Sequence, residues 1–445
     1  MPLDNENMDR RRQRREEAKK KQRAQQRRLV SLLVVAGLVL MGCGIVIYRI
    51  ASKTPESQPV SAVATTEATE AASESTEPTS VRQARNPITK IHIRAVGDLN
   101  ITNSVVDSGI VATGYDYTRA FQDVAAELGV ADVTVMNIEG NFCGEPYGSQ
   151  TASAPQELLT YLKSAGVDLI QMANSYSVQN GIIGLSASLN AIRSAGMEPL
   201  GAYATAADFH KTKGYTICEV QGIKVAFVAF TKGVGGMGMP AGSEECVNLL
   251  YEDYNSNYTK IDRKRITSIL KDVKAEKPDI TVAMLHWGSV NNDEISKTQE
   301  SIVSLMQKNG VDVIIGTHPH LVQKIDLDQK TGKLVAYSLG DFYGDATLGG
   351  SNYSIILDIE VTKDEDLKTT KVTNFSYIPI YTLKESEGDG YRRVVRINEA
   401  MAAYEGNYVD KISSTAYSQM EYSLTRIEAR VHGKTADDTS KTTKK

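Results

Sequence analysis

Apolar, β-rich runs recur along the chain at residues 91–96, 133–138, 167–173, 225–230, 280–285, 311–315 and 334–339. Short runs of this kind, bounded by turn residues, predict buried strands. Helical spacing of apolar positions falls between several of them. Residues 120–128 place Phe121, Val124, Ala125 and Leu128 on one face, and residues 157–165, 185–195, 263–275 and 295–308 read the same way. Residues 215–219, Gly222 and residues 225–230 together predict a hairpin inserted in this plan. After Tyr353 the pattern turns into strands at 354–361 and 372–380, then into a helical stretch from about Arg396. This succession predicts an α/β domain, layered in the α+β manner, with sheet packed against helices.

The first 86 residues follow a different pattern. Residues 29–48 carry no charge, and at ~1.5 Å per residue they are long enough to cross ~30 Å of hydrocarbon as a helix. The dense Lys/Arg block in residues 1–28 predicts a cytoplasmic tail, so that 29–48 is a single-pass membrane anchor and the body faces outward. A cleaved signal peptide competes with this reading, but the charged leader is long and the apolar run exceeds the usual ~7–15 residues. Lipoprotein processing at Cys43, suggested by Leu40-Met41-Gly42-Cys43, also competes; the run continues through Ile45, Val46 and Ile47, which suits a span better. Beside such a span the basic block reads as a topology signal, with no nucleic-acid partner. Residues 49–86, rich in Ala, Ser, Thr, Glu and Pro, predict a disordered tether, and the polar residues 432–445 a disordered tail. Between them the expected organisation is a folded domain at 87–390 and a C-terminal extension at 391–431 packed on it.

Composition adds two constraints. With 445 residues, 41% hydrophobic and 23% charged, the chain is neither wholly disordered nor a small disulfide-stapled module. The net charge of -4 is a cancellation: residues 1–49 hold twelve basic and five acidic side chains, which leaves -11 on the remainder. A body of that charge disfavours simple attraction to a polyanion unless a local basic patch reverses it. Four cysteines are too few for a disulfide framework, and the sequence leaves open whether any of Cys143, Cys218 and Cys246 pair.

The chemistry lies where the predicted strands end. In open α/β sheets, ligand sites form beyond the carboxyl ends of strands. Here the runs lead in turn into Gly97-Asp98, Asn137-Ile138-Glu139, Ala173-Asn174, His286-Trp287-Gly288, Gly316-Thr317-His318-Pro319-His320 and Gly340-Asp341-Phe342. Taken singly each is weak: Gly-Asp after a strand is more often a plain turn, Asn137 or Glu139 a cap or surface residue, and His286 a satisfied buried histidine. Taken together they are stronger, because three of the six histidines fall in these segments.

In the order Gly-Asp, Asn-x-Glu, Ala-Asn, His-Trp-Gly, Gly-x-His-Pro-His and Tyr-Ser-Leu-Gly-x-Phe, the chain resembles the CapA/PgsA-type capsule-biosynthesis proteins, whose domain belongs to the calcineurin-like metallophosphatase superfamily. The resemblance spans roughly residues 91–343 and is most specific at 286–288, 316–320 and 337–342. It implies a metallophosphatase-like β-sandwich flanked by helices, preceded by one N-terminal transmembrane helix. It further implies a role in making, exporting, attaching or trimming an anionic surface polymer, often poly-γ-glutamate, beside other capsule-assembly membrane proteins. Carried over by position, Asp98, Glu139, Asn174, His286, His318 and His320 match metal or catalytic positions, with His286, His318 and Asn174 as the catalytic candidates. Such ligands suit a divalent Mn-, Fe- or Zn-type ion.

Four positions depart from the family pattern. Tyr176 and Gln179 stand where Ala-Asn-Asn-His-x-x-Asp-x-Gly has His and Asp, and Val290 replaces a common Glu. Asp341 replaces the usual Asn, adding a carboxylate that can serve as a ligand. Losing a proton-transfer group costs ~10²–10⁴ in rate, so the fold is expected to persist with hydrolysis weakened or absent, and the metal itself is open to loss. Three functions remain in play: an anchored accessory protein of polymer assembly, an active metal-dependent hydrolase of a phosphoester or amide, and a wall-associated scaffold or adhesion domain.

Overall fold

The computed structural model describes residues 87–406 and 412–434. The expected cytoplasmic tail, anchor and tether at 1–86, and all but the first three residues of the tail at 432–445, lie outside the described residues. Among the described residues, no helix is long and apolar enough to cross a membrane.

The strands are β1 (Ile88–Asn100), β2 (Ile110–Val111), β3 (Gly114–Tyr115), β4 (Val133–Glu139), β5 (Leu169–Gln171), β6 (Glu198–Leu200), β7 (Tyr215–Val220), β8 (Ile223–Thr231), β9 (Ile280–His286), β10 (Val313–Thr317), β11 (Ile325–Asp328), β12 (Lys333–Ala336), β13 (Asp341–Tyr343), β14 (Tyr353–Asp364), β15 (Thr369–Leu383) and β16 (Arg393–Arg396). One sheet runs β16-β15-β14-β1-β4-β5-β6, with β13 also paired to β1; the second runs β11-β12-β10-β9-β8-β7. Each has a parallel part, β1-β4-β5-β6 and β12-β10-β9-β8 respectively, and antiparallel strands beyond it. Parallel neighbours end on the same side, which collects the strand-end motifs at one edge of each sheet.

The two-residue side-chain period of a strand explains the layering. Along β8, Val225, Phe227 and Ala229 enter the large core that also holds Ile93, Val135 and Ile315, while Ala226, Val228 and Phe230 face a second core. That second core is closed by Ile266, Ile269 and Leu270 of the helix Arg263–Ala275 and by Ile302 and Met306 of the helix Lys297–Lys308. β9 alternates likewise, Val282 and Met284 to one side and Ala283 and Leu285 to the other. The result is two sheets sharing a core with helices outside, the mixed α/β layering the pattern predicts.

The hairpin at 215–230 is present as β7 and β8 joined by Gln221-Gly222, both at positive φ (49° and 77°), the two-residue turn whose twist matches a hairpin. The single helix expected over 120–128 is instead two short ones, Thr118–Phe121 and Ala125–Gly129. Between them the Asp123 carbonyl accepts from Arg396 Nε at 3.0 Å, an acceptor that helix continuity would otherwise have used. The run at 167–173 yields only the three-residue β5. Beyond residue 390, β16 pairs with β15 from Arg393 onward and the helix Ser414–Val431 follows. Cys143, Cys218 and Cys246 are free thiols.

Candidate metal centre

Two glycines let the strand ends meet. A Cβ at Gly97 would lie 1.8 Å from the Gly340 carbonyl oxygen, and one at Gly316 would lie 1.9 Å from that of Tyr337. Only glycine permits these approaches, and Asp98 N donates to Gly340 O at 2.9 Å across the first of them. Asp98 is thereby fixed against β13, beside Asp341.

Six of the expected side chains converge in two groups. Glu139, at the end of β4, meets His286 at the end of β9 and His318 just beyond β10; Asp98, His320 and Asp341 form the second group. Within each group, potential ligand atoms lie within 4.8 Å of one another. His286 Nε2 is 2.8 Å from Glu139 Oε1, and the His286 and His318 rings are 4.4 Å apart between centroids. His320 Nδ1 is 2.7 Å from Asp341 Oδ1 and 3.6 Å from Asp98 Oδ2. The groups are linked: His318 N donates to Asp98 Oδ2 at 2.9 Å, and the His318 and His320 rings are 6.0 Å apart. His318 and His320 hold positive φ values of 93° and 58°, a conformation that costs a non-glycine residue ~1–3 kcal/mol and is stored chiefly at functional sites.

Burial and mutual charge set the electrostatics. Burial, reinforced by the Glu139 charge, pushes Asp98 up to about 8. Burial also raises Glu139, but the charge and hydrogen bond of His286 outweigh it and draw the carboxyl down to about 2. Burial lowers His320, yet the Asp341 carboxylate, with Glu139 and Asp98, lifts it to about 10. Burial and the neighbouring His286 hold His318 well below the usual histidine range, so it is a neutral electron-pair donor.

The donor set fits a metal on two observations. The Thr231 hydroxyl donates to Gly233 O at 2.7 Å, so His286 Nδ1, 3.1 Å from that hydroxyl oxygen, is the donor between them. Nε2 then faces the Glu139 carboxylate with its lone pair, and a proton or a cation must lie between them. Second, His318 Nδ1 is buried with no hydrogen-bond partner among the described residues, an exception in folded interiors unless a ligand takes it.

Asn174 is buried and hydrogen-bonded within the fold. Its amide nitrogen donates to Ile138 O at 2.7 Å and Asn137 Oδ1 at 3.1 Å, and its oxygen accepts from Tyr176 N at 2.9 Å. Its side chain thus ties the loop after β5 to β4. Tyr176 is half-buried, and burial with the Glu139 charge pushes its phenol above the ordinary range. Gln179 is exposed and Val290 is 47% exposed. Asp341, by contrast, is buried in the second group. Trp287 is a core residue, its Nε1 donating to Tyr337 O at 2.9 Å.

Asn137, which opens the Asn-x-Glu strand end, is buried and donates to Asp98 Oδ1 at 2.7 Å. Two contributors escaped the sequence reading. Thr231 orients His286. Lys232 donates through Nζ to Gly288 O at 2.6 Å and lies 4.6 Å from the Tyr258 ring. The strand-end rule, applied to the end of 225–230, would have found the last two.

The family model for the bacterial capsule synthesis protein PGA_cap matches residues 92–346. A capsule biosynthesis protein CapA of Bacillus anthracis is 30% identical over 193 residues, 43% of this chain and 44% of that protein. A PGA biosynthesis protein CapA of Bacillus subtilis is 25% identical over 190 residues, 43% of this chain and 46% of that protein. The chain thus spans less than half the length of the curated relatives it matches. Among solved structures, a calcineurin-like phosphoesterase from Bacillus subtilis aligns over 77% of this chain and 100% of its own, with 13% identity and a TM-score of 0.39.

Proposed function

The chain belongs to the bacterial capsule synthesis protein family, and from that premise we propose that it is a membrane-anchored, extracytoplasmic protein acting in the synthesis, export or attachment of an anionic surface polymer, with hydrolysis weakened or absent. The anchor rests on the uncharged residues 29–48 behind a basic tail, and the polymer role on the family. The observation that carries the reading is the pairing of an intact ligand set with Tyr176, which stands where the family pattern has a proton-transfer histidine. In the metallophosphatase manner, Glu139, His286 and His318 would hold one divalent ion and Asp98, His320 and Asp341 a second. Such a pair supplies charge stabilisation and an activated water when bound. This chain's own residues fix the geometry: Thr231 orients His286, Asn137 and the His318 amide orient Asp98, and Asn174 holds the loop bearing Tyr176.

A phenol raised by burial is a poor general base at neutral pH, because catalytic efficiency requires a pKa near the working pH. The set therefore binds better than it turns over. The test is elemental analysis of the full chain beside turnover of a phosphodiester and of poly-γ-glutamate. Bound metal with negligible turnover supports the accessory role; turnover lost on His318→Ala overturns it. The hydrolase reading is favoured by the completeness of the six ligands, and the same assay decides it. For topology, protease added to intact cells is expected to remove the body and spare the basic tail.

A further inference from the structure

Lys264, Lys271 and Lys274 follow one another at helical spacing along the outer face of the helix Arg263–Ala275, and Lys308, in the last turn of Lys297–Lys308, stands across from them. The four line a groove of about 480 Å³ between the two helices, whose lining contains no acidic side chain. All four are exposed. Among the described residues, none of their ammonium groups has an ion pair or a hydrogen bond. The nearby acids are turned elsewhere. Asp272 lines a separate groove with Phe209 and Arg265, and Glu276 is held by the Tyr215 hydroxyl at 2.9 Å and by Lys224 at 3.6 Å.

A single lysine on a solvated helix needs no partner. Four in one groove are a different case, because like charges on neighbouring turns repel one another. The helix Arg263–Ala275 carries five basic side chains and one acidic, on a body whose residues 50–445 sum to -11. A concentrated positive field on an otherwise negative molecule marks a surface that meets a polyanion.

The position of the groove selects that polyanion. Lys274 lies in the last turn of its helix, and the chain continues through Asp279 into β9. Asp279 Oδ1 pairs with Lys363 Nζ at 3.1 Å, and Lys363 is in register with Thr89 at the start of β1. The first strand therefore starts beside the basic groove, and it is this end of the body that leads back along the chain to the uncharged residues 29–48. None of the six candidate ligands lines the groove, so it can be occupied without covering the centre.

We infer that this lysine face docks on an anionic lipid surface, that of the membrane the anchor enters, and holds the body against it; the inference rests on the membrane anchoring proposed above. Each lysine close to such a surface favours docking by about fivefold.

The test is amine labelling of the full chain in phosphatidylcholine vesicles, with and without phosphatidylglycerol, by a membrane-impermeant reagent read by peptide mass spectrometry. Lys264, Lys271, Lys274 and Lys308 are expected to label at least about fivefold more slowly with the anionic lipid. The slowing should vanish at about 1 M salt, where screening shortens to about 3 Å. Lys163, in the helix Glu157–Ser164 whose apolar face enters the other core, should label alike in both. Lys264→Glu with Lys271→Glu, at two exposed positions, should abolish the slowing at Lys274 and Lys308. Equal labelling in the two vesicle types, slowing that survives the charge reversal, or equal slowing in neutral vesicles by soluble oligo-γ-glutamate or inorganic phosphate overturns the inference. The anchor is read separately, by flotation of the chain with neutral vesicles after an alkaline wash. A chain that floats but shows no lipid-dependent slowing refutes the lysine face and keeps the anchor, whereas one that fails to float yet shows salt-sensitive slowing with anionic vesicles does the reverse.

Discussion

His286 Nε2 lies 2.8 Å from Glu139 Oε1, a contact that joins the end of β9 in one sheet to the end of β4 in the other. Both side chains are buried, so each is the other's replacement for water. Glu139→Ala in metal-stripped protein should therefore cost about 1–3 kcal/mol, the penalty for stranding a buried polar partner. An exposed pair such as Lys324–Asp326 should shift stability by less than ~1 kcal/mol on the same change. Urea midpoints compare the two, and equal shifts would deny the contact a role in joining the sheets.

The two ligand groups should be separable. His286→Ala is expected to lower metal content at the Glu139 group, and Asp341→Ala at the Asp98 group, each leaving about half the wild-type stoichiometry in elemental analysis. Affinity at the altered group should fall by about 10² or more, since removing even a supporting hydrogen bond costs 10–100-fold. Full stoichiometry in both variants would rule out these ligands.

The stability of metal-stripped protein should decline from pH 6 to pH 10. His320 is lifted to about 10 in the fold, so its contribution is complete below the ordinary histidine value of ~6.5 and is lost as pH rises through 10. Asp98, raised to about 8, works in the same direction, because the folded chain holds a proton that the unfolded chain has released. Glu139, held near 2, acts oppositely and only in acid: its contribution is present above the ordinary carboxyl value and fades as pH falls through 2. Chemical denaturation at pH 6 and 9.5 reads the difference, and a flat profile would contradict the charge arrangement.

Restoring the family residues should restore chemistry. Tyr176→His, alone and with Gln179→Asp, is expected to raise phosphodiester turnover by about 10²–10⁴, the usual worth of a placed general acid or base. A pH–rate profile with a new inflection near neutrality would mark the histidine as the group responsible. If turnover stays at the parental level with metal bound, proton transfer at 176 is not what limits this chain.

The sequence was most informative where one side-chain period ran long enough to state its face. β8 and β9 were legible because both of their faces are apolar, and Arg263–Ala275 because its apolar positions keep helical spacing without interruption. The segment at 118–129 misled for a long-range reason: Arg396, nearly three hundred residues later, captures the Asp123 carbonyl. β5 and β6 were short or missed because three-residue strands are made by their neighbours rather than by their own composition. At the site, Asp98, Glu139, His286, His318, His320 and Asp341 could be read from strand ends, but the orientation of the Asn174 amide could not. The burial of Arg426 and Arg430 was invisible, since both lie on a polar-looking helix.

The parentage of the two ligand groups has a consequence for biogenesis. Each group takes a carboxylate from the first strands of the domain and completes itself with residues far downstream, 147 positions apart for Glu139 and His286 and 222 (from 98 to 320) for Asp98 and His320. Contacts of such sequence separation form late, after long loops have closed. No fragment that ends before His318 or begins after Glu139 carries either group whole, so a chain cut or still unfinished at such a point cannot sequester the ion there. Metal acquisition would thus be confined to chains that have finished folding, in whichever compartment that happens.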